Sequence, residues 1–335
     1  MSSLSADLVL SGGGVKGVGL VGAVVALRNA GYTAQRVSGT SAGSIVGAIV
    51  AAGSHLTGAE IKDLALQLDY HKFRDPVPLQ RLPFVGGSLA VLRGDGMYKG
   101  DYAHGWVRSQ LRGLGVDTFG DLAVDDDELP PEQRYKLVVT VADVTTGQLV
   151  RLPWDYRRVY GLDPDEQSVA DAVRASMSIP FYFRPATLTS ATGRTSTLLD
   201  GGLLSNFPVD SLDRTDGAAP RWPSFGVTVV PNLPDGVDQV IPDWGPLRHL
   251  GPSRLLDDLV TTVLVGRDQA YLNQPWVSAR TIRVDSTEVG FLDFDITDAQ
   301  VEALYAKGYQ AAEAFLAGWD WDTYLTRFRS TSPIP

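Results

Sequence analysis

The chain has 335 residues, 44% hydrophobic and 20% charged, which is ample for a buried core and fits either two domains or one large α/β unit. A formal charge of −10 argues against nucleic acid as a partner and against electrostatic adsorption to an anionic bilayer, so any lipid contact has to be mainly apolar. Cysteine is absent, which removes disulfides, thiolate nucleophiles and cysteine metal sites.

The residues before the first strand, Met1 to Asp7, carry neither a basic cluster nor an apolar run, so the expectation is a cytoplasmic protein without a signal peptide. Leu8-Val9-Leu10 reads as a buried strand running into the loop Gly12-Gly13-Gly14-Val15-Lys16-Gly17, followed by an almost wholly apolar helix from about Val18 to Asn29 with Gly31 at its C-cap. A short apolar segment, Arg36 to Ser38, leads into Gly39-Thr40-Ser41-Ala42-Gly43 and a second apolar helix. Residues 37 to 54 carry no charge, but Ser38, Thr40, Ser41, Ser44 and Ser54 interrupt them, which favours a buried helix over a membrane span. Gly19 and Gly22 in the first helix, and Gly43 and Gly47 in the second, each cost about 1 kcal/mol relative to alanine, so they imply very close element packing. The order strand, glycine loop, helix, strand, serine turn, helix predicts a parallel βαβα start buried on both faces.

A Gly-x-Ser-x-Gly turn between strand and helix lifts a serine hydroxyl out of the backbone at a helix N-terminus, with the flanking glycines leaving room for the strained turn. Ser41 is therefore the candidate nucleophile. The glycine loop matches G-x-G-x-x-G, but no Asp or Glu occurs between Asp7 and Glu60 to hold a ribose, and Val18 follows Gly17 where a phosphate loop needs lysine. Beside a serine turn the loop gains another use: successive N–H groups at a helix N-terminus can receive the oxyanion of acyl transfer.

Beyond Ala59 the chain becomes irregular. Residues 69 to 99 scatter Tyr70, Phe73, Leu79, Phe84 and Met97 among prolines and glycines, together with Lys72, Arg74, Arg81 and Arg93. This locally basic excursion is expected to border the site as a lid whose aromatic groups enter a lipid interface. A helix follows from about Asp101 to Arg112, then an acidic loop, Asp125 to Glu128, read as solvated surface instead of a metal site. Tyr135 to Ala142 predicts a strand ending at Asp143, where Val144-Thr145-Thr146-Gly147 has the chemistry of a hairpin turn. Ser168 to Met177 predicts a helix ended by Ser178-Ile179-Pro180. Thr197-Leu198-Leu199 predicts a strand closing on Asp200-Gly201-Gly202, a glycine turn that can face the carboxylate inward, so Asp200 is the candidate base and Asp143 a distant second. A strand at Thr281 to Val284 and a helix at Asp298 to Ala317 complete the chain.

Taken together, GGGVKG, GTSAG and DGG, in this order and spacing, resemble the patatin-like phospholipases, a group of lipid acyl hydrolases. Gly96 to Asp101, Val169 to Pro180 with its Ser-x-Ser-Ile-Pro ending, and Asp200 to Pro208 resemble that family too, over about residues 7 to 230. The resemblance implies an α/β fold with a mainly parallel central sheet flanked by helices in three layers, α/β/α. It implies Ser41 as nucleophile, Asp200 as its partner in a Ser-Asp dyad, and Gly12, Gly13 and Gly14 as the oxyanion hole. Lys16, Gly17, Gly39, Gly43, Gly201 and Gly202 support these motifs, Lys16 standing where the family has a basic residue and expected to brace the loop through backbone carbonyls.

The resulting expectation is a single domain over residues 1 to 335, its motif-bearing core spanning about 7 to 230 and a C-terminal extension the remainder. It acts as a phospholipase A or lysophospholipase on phospholipid or lysophospholipid at a transient membrane contact, with no metal or cofactor. Two alternatives stay open: an α/β-hydrolase with a Ser41, Asp200, His249 triad, and a non-catalytic lipid-binding protein on the same fold. Oligomeric state is not legible.

Overall fold

The computed structural model describes residues 4–75, 96–229, 262–263 and 269–329. Its centre is the pair β1 (Leu4–Leu10) and β2 (Tyr32–Thr40), parallel strands joined by α1 (Gly17–Asn29). Residues 17 to 27 of α1 are all buried, as a helix without a polar face has to be. The helix stops at Ala30, and Gly31 follows with φ of 93°, the left-handed position that glycine takes at a helix end.

From β2 the chain passes through Ser41 into α2 (Ala42–Ala52), and then α3 (Gly58–Ala65), whose Thr57 and Glu60 form a reciprocal capping box. Next come α4 (Asp101–Gly113), the hairpin β3 (Leu137–Asp143) and β4 (Gln148–Leu152), and α5 (Val169–Ser176), capped by the Ser168 hydroxyl. A second antiparallel pair, β5 (Ala186–Thr189) and β6 (Thr195–Asp200), precedes β7 (Ser224–Thr228) and β8 (Thr281–Arg283). Helices α6 (Asp298–Ala317) and α7 (Trp321–Phe328) end the described chain.

The strand order is β5-β6-β3-β2-β1-β7-β8, with β4 also pairing on β3. From β3 through β2, β1 and β7 to β8 every pairing is parallel, while β4, β5 and β6 are antiparallel, so the sheet is mixed but mostly parallel and flanked by helices. Alternation along the central strands divides the core. Leu8, Leu10, Leu137 and Val139 join the larger cluster with α1 and α2, whereas Val9 and Val138 join a smaller one with Phe207, Val209, Leu212, Leu272 and Val277.

The interior glycines of α1 have their reason in α6. A Cβ at Gly22 would lie 2.0 Å from the Tyr305 carbonyl oxygen, and one at Gly308 would lie 1.9 Å from that of Gly19. The two helices thus meet backbone against backbone, a contact any side chain would force apart.

Two further expectations resolve at this level. Asp143 is a turn residue: its Oδ1 accepts the N–H groups of Thr145 and Thr146, and its Oδ2 accepts the Tyr160 hydroxyl. In the acidic loop, Asp126, Asp127 and Glu128 pair with Arg221, Arg134 and Arg214.

Candidate active site

β2 ends at Thr40 and α2 begins at Ala42, so a single residue turns the chain. Ser41 does this with φ of 51° and ψ of −123°, a backbone strain of about 1–3 kcal/mol for a residue with a side chain. Glycine is required on either side: a Cβ at Gly39 would lie 2.4 Å from the Gly43 carbonyl oxygen, and one at Gly43 would lie 2.3 Å from that of Leu10. The elbow is tied down. Ser41 N–H donates to Ser176 Oγ at 2.8 Å, and the Ser44 N–H and hydroxyl both donate to the Ser41 carbonyl, at 2.9 and 2.6 Å.

Asp200 arrives from β6, in register with Val141 of β3. Its N–H donates to the Ser178 carbonyl at 2.9 Å, and its Oδ1 accepts the Gly202 N–H at 2.8 Å. Gly201 lies so close to β3 that a Cβ there would sit 2.3 Å from the Thr140 carbonyl oxygen. The carboxylate is fully buried, and burial pushes its pKa up to about 7, against the opposing pull of the Ser41 hydroxyl and the Gly202 N–H. Oδ2 nevertheless closes no hydrogen bond of full geometry among the described residues.

The glycine loop lies against the same serine. A Cβ at Gly12 would stand 2.2 Å from Asn206 Oδ1 and 3.1 Å from Ser41 Cβ. Gly12 N–H is committed to the Asn206 carbonyl at 3.2 Å, which leaves Gly13 and Gly14 as the donors the loop can offer. No hydrogen bond among the described residues takes the N–H of Gly13 or Gly14, the latter opening a helical turn whose first donors have no partner within it. Gly14 has φ of 55°, and a Cβ there would lie 2.0 Å from the Phe291 carbonyl oxygen, which also accepts the Val15 N–H. Lys16 is buried but forms no side-chain hydrogen bond among the described residues, contrary to its expected bracing role. Burial lowers its pKa to about 8, opposed by the charge of Asp285.

Gly14, Gly17 and Ser41 line one narrow cavity. Val21, Ile45, Ile49 and Trp106 line it, so nearly everything beyond the serine is apolar. Phe73 belongs to this wall as well. It is buried among Tyr70, Tyr102, Phe183 and Phe294, stacking on the last at 5.2 Å, which corrects the expectation that it reaches out to a lipid interface. Lys72 and Arg74 pair with Asp69 and Asp295. Residues 76 to 95 of the expected lid, including Leu79, Arg81, Phe84 and Arg93, lie outside the described residues, as does His249, whereas Met97 is described and packs half-buried against the core. Of the described histidines, His104 bonds Asp171 at 2.7 Å and His71 faces Asp295.

The sequence model of the patatin-like phospholipases matches residues 8–213, a span that takes in the glycine loop, Ser41 and Asp200. The chain belongs to the patatin-like phospholipase family. It is 34% identical over 320 residues to the protein YqhO of Bacillus subtilis (strain 168), covering 94% of this chain and 99% of that one. It is 28% identical to the NTE family protein Rv2565 of Mycobacterium tuberculosis (strain ATCC 25618 / H37Rv), where 93% of this chain matches 46% of the relative, so the chain spans about half the mycobacterial protein. Among solved structures, VipD from Legionella pneumophila superposes with a TM-score of 0.50 at 19% identity, over 95% of this chain and 67% of that one, a likeness of fold.

Within this patatin-like site, Ser176 and Asn206 were not singled out by sequence reasoning, although both fall in stretches that resemble the family. Each acts through a hydrogen bond to a residue more than a hundred positions away, Ser41 and Gly12 respectively, which no local pattern encodes.

Proposed function

We propose that the protein is a serine lipid acyl hydrolase of phospholipase A or lysophospholipase type, working through an acyl-enzyme on a Ser41-Asp200 dyad. The observation that carries this reading is a fully buried carboxylate, raised to about 7, with an unbonded oxygen beside a serine held in a strained elbow. Asp200 takes the hydroxyl proton as Ser41 Oγ attacks the ester carbonyl. The resulting oxyanion accepts the N–H groups of Gly13 and Gly14, aided by the N-terminal end of α2. Collapse of the intermediate breaks the ester bond, and Asp200 returns the proton to the departing alkoxide. Water then attacks the acyl-serine with Asp200 again accepting a proton, and Ser41 leaves with that proton as the fatty acid departs. The apolar cavity receives the acyl chain. No helix among the described residues is long and apolar enough to cross a membrane.

The test is to incubate mixed phospholipid and lysophospholipid vesicles with the protein and with Ser41→Ala, Asp200→Asn and His249→Ala, and identify the fatty acids and lysolipids released. Loss of a covalent step predicts a fall of about a thousandfold or more for Ser41→Ala. Asp200→Asn should fall comparably while His249→Ala keeps most activity. Release that persists in Ser41→Ala would overturn the proposal, and a reversal of the last two would replace the dyad by a triad.

A further inference from the structure

We propose that the run Ser176-Met177-Ser178 is a brace that sets the spacing between nucleophile and base, with Ser176 as its positioning residue. Both ends of the dyad are fastened to these three residues. Ser176 Oγ accepts the Ser41 N–H at 2.8 Å, and the Ser178 carbonyl accepts the Asp200 N–H at 2.9 Å. The Ser176 hydroxyl proton goes to the Thr140 carbonyl at 2.7 Å, the same carbonyl against which Gly201 packs. One hydroxyl thus links the elbow, β3 and the backbone next to Asp200.

The brace is itself anchored. Ser176 and Ser178 have no exposure, and the Ser178 hydroxyl accepts from Arg174 Nη1 at 2.7 Å while donating to the Arg174 carbonyl at 3.0 Å. Met177 lines the cavity between them. The need for an outside acceptor follows from the elbow. A residue at φ of 51° between strand and helix points its N–H into neither the β2 ladder nor the α2 helix, and a buried N–H has to find a partner. Ser176 supplies it, and in doing so fixes where Ser41 Oγ stands relative to Asp200 Oδ2.

This inference rests on the dyad reading, and the experiment separates the two. Turnover of a short soluble ester is compared for wild type, Ser41→Ala, Ser176→Ala, Asp200→Asn and the Ser176→Ala/Asp200→Asn pair, with melting followed throughout. Ser176→Cys, whose thiol accepts weakly, is measured alongside and is expected between wild type and Ser176→Ala. A misplacement of the nucleophile predicts a kcat about ten- to a hundredfold lower for Ser176→Ala with KM within about twofold. Its acid limb should move upward, because the Ser41 hydroxyl that lowers the Asp200 pKa is no longer held in place. The double variant should be no slower than Asp200→Asn alone, since residues acting as one unit are not additive. Wild-type kcat with an unmoved acid limb in Ser176→Ala, or losses that multiply in the double variant, would overturn the brace while leaving the dyad standing. Turnover that survives in Ser41→Ala would overturn both.

Discussion

In the proposed dyad, a base buried without exposure makes turnover a function of pH in the neutral range. Asp200 would accept a proton only when ionised, and burial pushes its pKa up to about 7. The specificity constant on a soluble ester should therefore rise with pH, about tenfold per unit, until the limb bends near 7. The same group bears on stability with a definite sign. Its folded pKa exceeds the roughly 3.9 of an unfolded aspartate, so it favours the fold fully below that value and loses the contribution as pH rises through about 7. Calorimetry should find Asp200→Asn melting higher than wild type at pH 8 and level with it near pH 4; a lower melting point at pH 8 would mean that the ionised carboxylate has a stabilising partner. The placement of Ser41 and Asp200 at the ends of β2 and β6 was legible because each sits at a break between elements marked by glycine, and breaks of that kind are written locally. The Ser176 contact is not, because it joins residues 135 positions apart.

At the scale of elements, α2 serves two purposes at once: its N-terminus adjoins Ser41, the proposed nucleophile, and its flank forms the cavity wall. Ser41, Ala42, Ile45, Val46 and Ile49 lie along one side, and the steps from residue 41 to residue 49, at a rise of about 1.5 Å each, give a wall of about 12 Å. An extended hydrocarbon advances roughly 1.3 Å per methylene, given carbon–carbon bonds of about 1.5 Å, so the wall matches an acyl chain of about eight to ten carbons. Across p-nitrophenyl esters of increasing length, the specificity constant should climb about fourfold per methylene up to that length and then level off, the gain expected of burying each group. Ile49→Phe should shift the break to shorter chains, provided its melting point is kept. A break that stays in place would assign the depth of the cavity to other residues. The sequence showed α2 as apolar but not which side faces a cavity, because every residue of it is buried. Phe73 was misassigned for a related reason: aromatic residues among prolines read as surface until tertiary packing encloses them. The antiparallel course of β6 was likewise hidden, since strand direction is settled by pairing partners and not by the strand itself.

Across the whole molecule, the motif-bearing part and the C-terminal third are less separable than their sequence signals suggest. The helix that leaves the glycine loop lies backbone to backbone on α6, and the loop itself rests on the Phe291 carbonyl, far beyond the matched span of 8–213. No pattern in GGGVKG announces this dependence, because glycine records that something comes close without recording what. The consequence lies in the order of events on the ribosome. Domains begin to fold from the N-terminus during synthesis, so β1, α1 and the serine elbow emerge long before the residue that supports Gly14. We expect the growing chain to stay catalytically silent until Phe291 has cleared the exit tunnel, sparing nearby membranes from a half-made hydrolase. Ribosome-arrested chains halted before that point should resist labelling of Ser41 by a fluorophosphonate probe, and released full-length protein should be labelled; equal labelling of both would show that the loop forms without its distant support.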